Sequence, residues 1–290
     1  MAGFCLAISA QAEDLGSVHA HAANNSGVDA LGMSLANGTS SAWQLSAEQV
    51  ARLAGPGGAN PEAALGFLPG VSYNAPDALN LANIQSPNKG LRVRGESAQH
   101  AAGDLVEGLP LAAGLSGPGQ WLVDQEDIRR VNFYAGAVPA AVPAPGSIAG
   151  VVDSQIRWPR GESQWQVQQS VGSQYFSRSF LRWDSPRLPG ASSLFLSGSF
   201  TRANLWRSWG EAPAGRKNFA LGWEQPYSSG LVRLFYTHGD YQSDNYRPLT
   251  WSQTRDLVRY GRFGYDRTPS AALRSILVRT FIPWHCAPKC

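Results

Sequence analysis

The chain has 290 residues and a mass of 31.1 kDa, room for one large domain or two ordinary ones, and its 43% hydrophobic residues suffice for a packed core. Only 16% of residues are charged and the net charge is +3, carried by scattered arginines, which excludes a globally disordered chain and gives no reason to invoke nucleic acid. Glycine, tryptophan and tyrosine are plentiful, a mixture suited to strands and turns.

Residues 1–12 read MAGFCLAISAQA, an apolar run closing on Ala10-Gln11-Ala12 as at the cleavage site of a signal peptide. The basic start of such a peptide is missing, so an apolar N-terminal tail is the alternative. Residues 13–42 are rich in Ala, Asn, Ser and Gly without period, which predicts a flexible segment. Leu45, Val50 and Leu53 at near-helical spacing, with Ser46 and Gln49 at capping-box spacing, predict a short helix. Asn60-Pro61-Glu62 starts a second one, ended by Pro69-Gly70. Leu91, Val93, Val106, Leu109 and Leu111 predict short strands around glycines, with Gly108 at a positive φ. The uncharged run from Phe133 to Val152 is long enough for a membrane helix, but Pro139, Pro143 and Pro145 make it a loop.

From Ser163 the period changes to two. Trp165, Val167 and Val171 alternate with glutamines; Leu194, Leu196 and Phe200 with Ser197, Ser199 and Thr201; Phe219, Leu221 and Trp223 lie between polar residues; and Val232, Leu234 and Tyr236 alternate with Arg233 and Thr237. Segments of about ten residues with one apolar and one polar face suit membrane barrel strands, and they equally suit a soluble sandwich. In Gln174 to Trp183, Phe176, Arg178, Phe180 and Arg182 share one face. An arginine facing lipid at the midplane costs about 2–4 kcal/mol, so this face is assigned to the lumen of a barrel.

Three phrases precede these strands: GLRVRGE (Gly90 to Glu96), QEDIRRVNFYAG (Gln125 to Gly136) and GSIAGVVD (Gly146 to Asp153). With PEAALGFLPGVS (Pro61 to Ser72) and EGLPL (Glu107 to Leu111), they resemble the plug domain of TonB-dependent outer-membrane receptors. In that family a strand ending in Arg-Gly precedes D-x-x-x-I-E-R-I-E-V-x-R-G-P and then G-x-x-A-I-G-G-V-I-N-I. The resemblance covers roughly residues 43–256. It departs from the pattern at Asn132, where the family has Glu, and at Ala135-Gly136-Ala137, where it has Arg-Gly-Pro.

The resemblance implies an α+β plug domain over 43–160, followed by antiparallel transmembrane β-barrel strands over 161–256 that form an incomplete barrel, and a divergent or truncated tail over 257–290. Asp14, Leu15, Gly16, Ser17, Val18, His19 and Ala20 loosely resemble the TonB box, an extended segment that a TonB-type energy-transducing partner pairs with by strand addition; plain linker is the alternative. The implied function is energy-coupled uptake of a scarce ligand, commonly a ferric siderophore, in the outer membrane of a Gram-negative cell, with membrane lipid around the strands. Gln99, His100, Gln120 and Trp121 are the plug-apex candidates for ligand contact. Arg92, Arg94 and Arg130 are the candidates for seating the plug against barrel carboxylates. Residues 161–256 hold roughly six strands where family barrels have about 22, so the chain is expected to be a truncated form that does not transport by itself.

Other chemistry is thinly supplied. The sequence contains no G-x-S-x-G elbow, no H-E-x-x-H and no P-loop, so an enzyme is not expected. His19 and His21 are only two ligands, and Cys286 and Cys290 lack a second pair, so neither a metal nor a cofactor is expected. A secreted β-sandwich binding module is the competing reading.

Overall fold

The computed structural model describes residues 34–35, 42–75, 77–81, 90–97, 102–110, 123–136, 138–140, 142–143, 149–206, 210–211, 213, 215–228, 230–240, 249–260 and 278–288. The N-terminal module begins with β1 (Ser34–Leu35) and β2 (Ala42–Ser46), then helix α1 (Ala47–Leu53). Ser46 caps α1: its hydroxyl accepts from the Gln49 amide while the Gln49 side chain accepts from the Ser46 amide. This is the expected capping box, and it turns Val50 into the core. The second expected helix is a 3-10 segment, Pro61–Phe67, which leaves directly into β3 (Val71–Asn74).

β4 (Gly90–Val93), β5 (Glu96–Ser97), β6 (Ala102–Val106) and β7 (Leu109–Pro110) are short. β6 turns into β7 through Glu107 and Gly108, both at positive φ as a two-residue type I′ hairpin requires. After a 3-10 turn (Gln125–Asp127) come β8 (Ile128–Ala135) and β9 (Gly150–Ile156). The main sheet of the module has the order β1-β2-β8-β9-β6-β7, with β6 and β9 parallel and the other described pairs antiparallel. β3, β4 and β5 form a second, three-stranded sheet.

The C-terminal sheet is an antiparallel meander of β10 (Gln164–Val171), β11 (Ser177–Asp184), β12 (Ser193–Arg202), β13 (Arg216–Tyr227), β14 (Gly230–Asp240) and β15 (Val278–Pro288), each paired with the next. The expected strand over Gln174 to Trp183 starts late, because Gln174 and Tyr175 take positive φ in the turn that reverses β10 into β11. Among the described residues β10 and β15 are free edges, so the sheet does not close, and no helix is long and apolar enough to cross a membrane.

The two parts share one core. Leu45, Val50, Leu65, Ile128, Val131, Phe133 and Ile156 of the module form a single buried cluster with Phe195, Ala220 and Phe235 of the C-terminal sheet. Module and sheet are therefore packed as one body, and the chemistry of the sheet face turned toward the module decides how.

Candidate functional site

The sheet is inside out by the standard of a soluble domain. On β12, Ser193, Phe195, Ser197, Ser199 and Thr201 are buried against the module while Leu194, Leu196 and Phe200 point away from it. On β13 the buried residues are Arg216, Asn218, Ala220 and Gly222, and the outward ones Phe219, Leu221 and Trp223. β10 and β11 complete the outer face with Trp165 (65% exposed), Val167 (76%) and Leu181 (47%). Strand register joins these side chains into one row across the sheet, Trp165 to Trp183 to Leu196 to Leu221 to Tyr236. Exposing such a row to water forfeits roughly 25 cal/mol for each Å² of apolar surface, so a continuous apolar face marks contact with lipid or protein.

The inner face carries the charges. Arg178, Arg182 and Arg216 are among the largest fully buried side chains of the protein. Their partners come from one short segment of the module, Asp124 to Asp127, which the 3-10 turn holds across the wall. Arg178 grips Glu126 with two parallel hydrogen bonds, Nε to Oε1 at 3.1 Å and Nη2 to Oε2 at 2.7 Å, the bidentate geometry that a guanidinium and a carboxylate favour. Its Nη2 also lies 3.1 Å from Asp124 Oδ1, and its Nη1 donates to Thr201 Oγ1 at 2.7 Å. Arg216 Nη1 donates to the same Asp124 oxygen at 2.5 Å. Arg182 Nη1 donates to Asp127 Oδ1 at 2.7 Å, its Nε donates to Asp184 Oδ1 at 2.8 Å, and Ser197 Oγ donates to Asp127 Oδ2 at 2.5 Å.

Two glycines make the geometry possible. Gly58 has φ +67, and a Cβ there would stand 2.4 Å from Arg178 Nε, so the guanidinium lies flat on a backbone that no other residue leaves bare. Gly222 is paired with Phe195 in register, and a Cβ there would stand 2.1 Å from the ring. The space is used by Phe195, whose ring lies 3.9 Å from the Arg182 guanidinium carbon.

Burial alone would raise both aspartates, and the arginines decide how far. At Asp124 the pull of Arg216 and Arg178 outweighs burial and holds the carboxyl below the usual carboxylate range. At Asp127 burial wins: Arg182 only partly offsets it, Asp124 adds repulsion, and the carboxyl is pushed up to about 6.

A second contact between module and sheet lies at the β6–β7 turn. Glu107 Oε1 accepts from the Ile156 amide at 2.7 Å and from Trp158 Nε1 at 3.1 Å, while Arg233 of β14 stands 3.7 Å from Glu107 and donates to Glu224 at 2.8 Å. The Arg233 guanidinium lies 4.9 Å over the Trp158 ring.

The arginines singled out in the sequence lie elsewhere. Arg92 donates to the carbonyl of Gly95 in its own hairpin, Arg94 sits at positive φ in that turn beside Gly136, and Arg130 donates to Gln155 within the module sheet at 2.5 Å. The charged seat has the opposite polarity: its acids come from the module and its arginines from the wall. Asp124, Glu126, Asp127 and Arg216 were not singled out as site residues, and the acid-rich phrase Asp124-Gln125-Glu126-Asp127 was the available signal. The segment Asp14 to Ala20 and the apex candidates Gln99, His100, Gln120 and Trp121 lie outside the described residues. Among the described residues no group of three His, Cys, Asp or Glu is arranged to hold a metal ion.

No protein-family model and no curated protein matches the sequence, but solved structures match the fold. The ferripyoverdine receptor of the outer membrane of Pseudomonas aeruginosa aligns with a TM-score of 0.56 over 71% of this chain and 26% of its own, at 16% identity. The siderophore receptor PiuA from Acinetobacter baumannii gives 0.56 over 76% and 29%, at 14% identity. The ferric-catecholate import receptor Fiu from E. coli K12 gives 0.55 over 73% and 28%, at 18% identity. The likeness is one of fold, and this chain spans less than a third of the length of each of these receptors.

Proposed function

We propose that the chain is the plug and the first wall strands of a TonB-dependent outer-membrane receptor, serving energy-coupled uptake of a scarce ligand, of which a ferric siderophore is the leading class. The observation that carries this is the polarity of the C-terminal sheet. A sandwich buries its apolar face, whereas here Ser197, Ser199, Thr201 and three arginines face inward and Trp165, Val167, Leu181 and Phe219 face outward. β12, β13 and β14, of 10, 12 and 11 residues, meet the length of about 9–11 needed to cross a bilayer, and β10 and β11 fall one residue short of it. On this reading residues 43–160 are the plug, 161–256 the wall, and Asp14 to Ala20 the segment that a TonB-type partner would engage; Gln99, His100, Gln120 and Trp121 remain the apex candidates for ligand contact. A seat made of charge pairs rather than apolar contact alone suits a plug that must shift within its wall without being lost from it.

The test is expression in a Gram-negative host, followed by membrane fractionation and quenching of tryptophan emission by brominated lipids. The outward Trp165, Trp183 and Trp223 should be quenched in the outer-membrane fraction. Recovery as a soluble periplasmic protein whose tryptophans ignore the lipid would overturn the membrane reading in favour of a secreted module.

A further inference from the structure

The direct ion pairs of the buried seat are unevenly shared. Asp124 and Glu126 claim Arg178 and Arg216, two carboxylates on two guanidiniums. Asp127 and Asp184 then share a single guanidinium, Arg182, at 2.7 and 2.8 Å. Every element packed around Asp127 can be named. From its own segment it faces Asp124 and Glu126; from β11 Arg182 and Asp184, with Arg178 one strand-turn away; from β12 the Ser197 hydroxyl, with Ser199 on Arg216; from β13 Arg216. From the link between β9 and β10 comes Arg157, whose amide donates to the Asp127 carbonyl at 2.8 Å and whose guanidinium donates to Gln166 at 2.7 Å while its charge also acts on Asp184, Asp127 and Glu126.

We propose that Asp127 is a proton-linked contact: in the seated protein it takes up one proton at mildly acidic pH, and that uptake tightens the hold of the N-terminal module on the C-terminal sheet. Of the two carboxylates that share Arg182, Asp127 is the more deeply buried, with a side chain 1% exposed against 10% for Asp184, so ionisation is least tolerated there. The site also holds an acceptor for the added proton. Ser197 Oγ is a rotor beside Oδ2: facing the carboxylate it donates, and facing a carboxylic acid it accepts. Arg182 meanwhile keeps Asp184 as its ionised partner. The bond changes are one O–H formed on Asp127 Oδ2, with solvent as the proton donor, and one hydrogen bond reversed in direction.

The sign follows from linkage. Seated, Asp127 is pushed up to about 6 from an ordinary carboxyl value of 3.8, toward which return to water on unseating would bring it. Between these values the seated protein holds a proton that the unseated one has lost, so seating is strongest below the lower value and is lost as pH rises through the upper one. The equilibrium weakens about tenfold for each pH unit across that window and levels off above it. Asp124, held low, acts oppositely and only in stronger acid, so it does not mask the effect.

The experiment is a urea titration of the full chain in detergent micelles, followed by amide exchange of the module, from pH 4.5 to 7.5. The native chain should lose about thirtyfold in seating equilibrium over that range, and Asp127→Asn, which mimics the protonated form, should lose the slope while staying tight. Retention of the native slope by Asp127→Asn, or a native seat that strengthens as pH rises, overturns the proposal. Isotope-edited infrared spectra of the native chain give a measurement that needs no variant: a protonated aspartic acid band at pH 5 that vanishes at pH 7.5 is expected, and its absence at pH 5 also overturns the proposal. The inference rests on the seat and not on transport, so a failed lipid-quenching test leaves it standing.

Discussion

Replacing Arg178 with methionine isolates the bidentate contact between module and sheet. The change removes a bidentate pair with Glu126, a 3.1 Å approach to Asp124 and a 2.7 Å bond to Thr201, all out of water. Asp124 keeps Arg216, but Glu126, whose side chain is 5% exposed, is left as a buried charge without its fork. Breaking one side of a buried pair costs about 3–5 kcal/mol, most of it the penalty on the abandoned partner. Removing the partner's charge as well should return much of that cost, so Arg178→Met with Glu126→Gln should be far milder than Arg178→Met alone. The cycle is read as urea midpoints in detergent micelles, tracked by tryptophan emission, and a coupling of about 2 kcal/mol or more is expected. A single-variant cost under about 1 kcal/mol, or strictly additive effects, would refute the view that this pair holds the module.

Two further outcomes bear on the surroundings of the seat. Gly58→Ala should cost at least about 1 kcal/mol, because alanine is strained at φ +67 and its Cβ meets the Arg178 guanidinium, and the penalty should shrink on the Arg178→Met background, where the obstructed group is gone; equal penalties on both backgrounds would mean that the backbone alone sets the cost. Leu221→Arg, in the middle of the outward row, should weaken folding into lipid vesicles by about 2–4 kcal/mol while leaving the buried seat intact, and a neutral result would place that face in water.

Local signals in the sequence were enough for the elements and not for the seat. Ser46 and Gln49 predict the start of α1 because a capping box is a four-residue device. The period-two runs predict β10, β12, β13 and β14, and the cost of an arginine in lipid turns the Arg178 and Arg182 face of β11 inward. The 3-10 form of Pro61–Phe67 was not legible, since Pro61 starts an α-helix and a 3-10 turn equally well. Nor were Gln174 and Tyr175 legible as a turn: neither is a residue that favours positive φ, and the Asn204 amide, 2.7 Å from the Gln174 carbonyl, braces them from 30 positions away. The partners of the wall arginines lie 52 and 55 residues upstream, and no period connects them. Arg92 and Arg130 donate within the module, to the Gly95 carbonyl and to Gln155, and Arg94 sits in the same turn as Gly95, contacts that no sequence period announces.

The polarity of the seat has a physical logic. On the proposed membrane reading, a strand with lipid on one side can present charge only on the other, and there the group must be satisfied completely or not ionised at all. Arginine suits the wall because it stays charged, offers five donors in a fixed plane and stacks on rings, as Arg182 does on Phe195. Carboxylates suit the module because a compact turn, Asp124 to Asp127, can present three of them at once on short side chains that lose little freedom on seating. Each half therefore neutralises charges of the other. Without the module, Arg178, Arg182 and Arg216 would lose Glu126, Asp127 and Asp124 as acceptors for their guanidinium donors. Without the sheet, three acids crowded into four residues would repel one another in the free module. Phe195, Ala220 and Phe235 complete the module's own core at the same interface, so apolar packing supplies the bulk of the hold while the ion pairs fix which strand faces which acid.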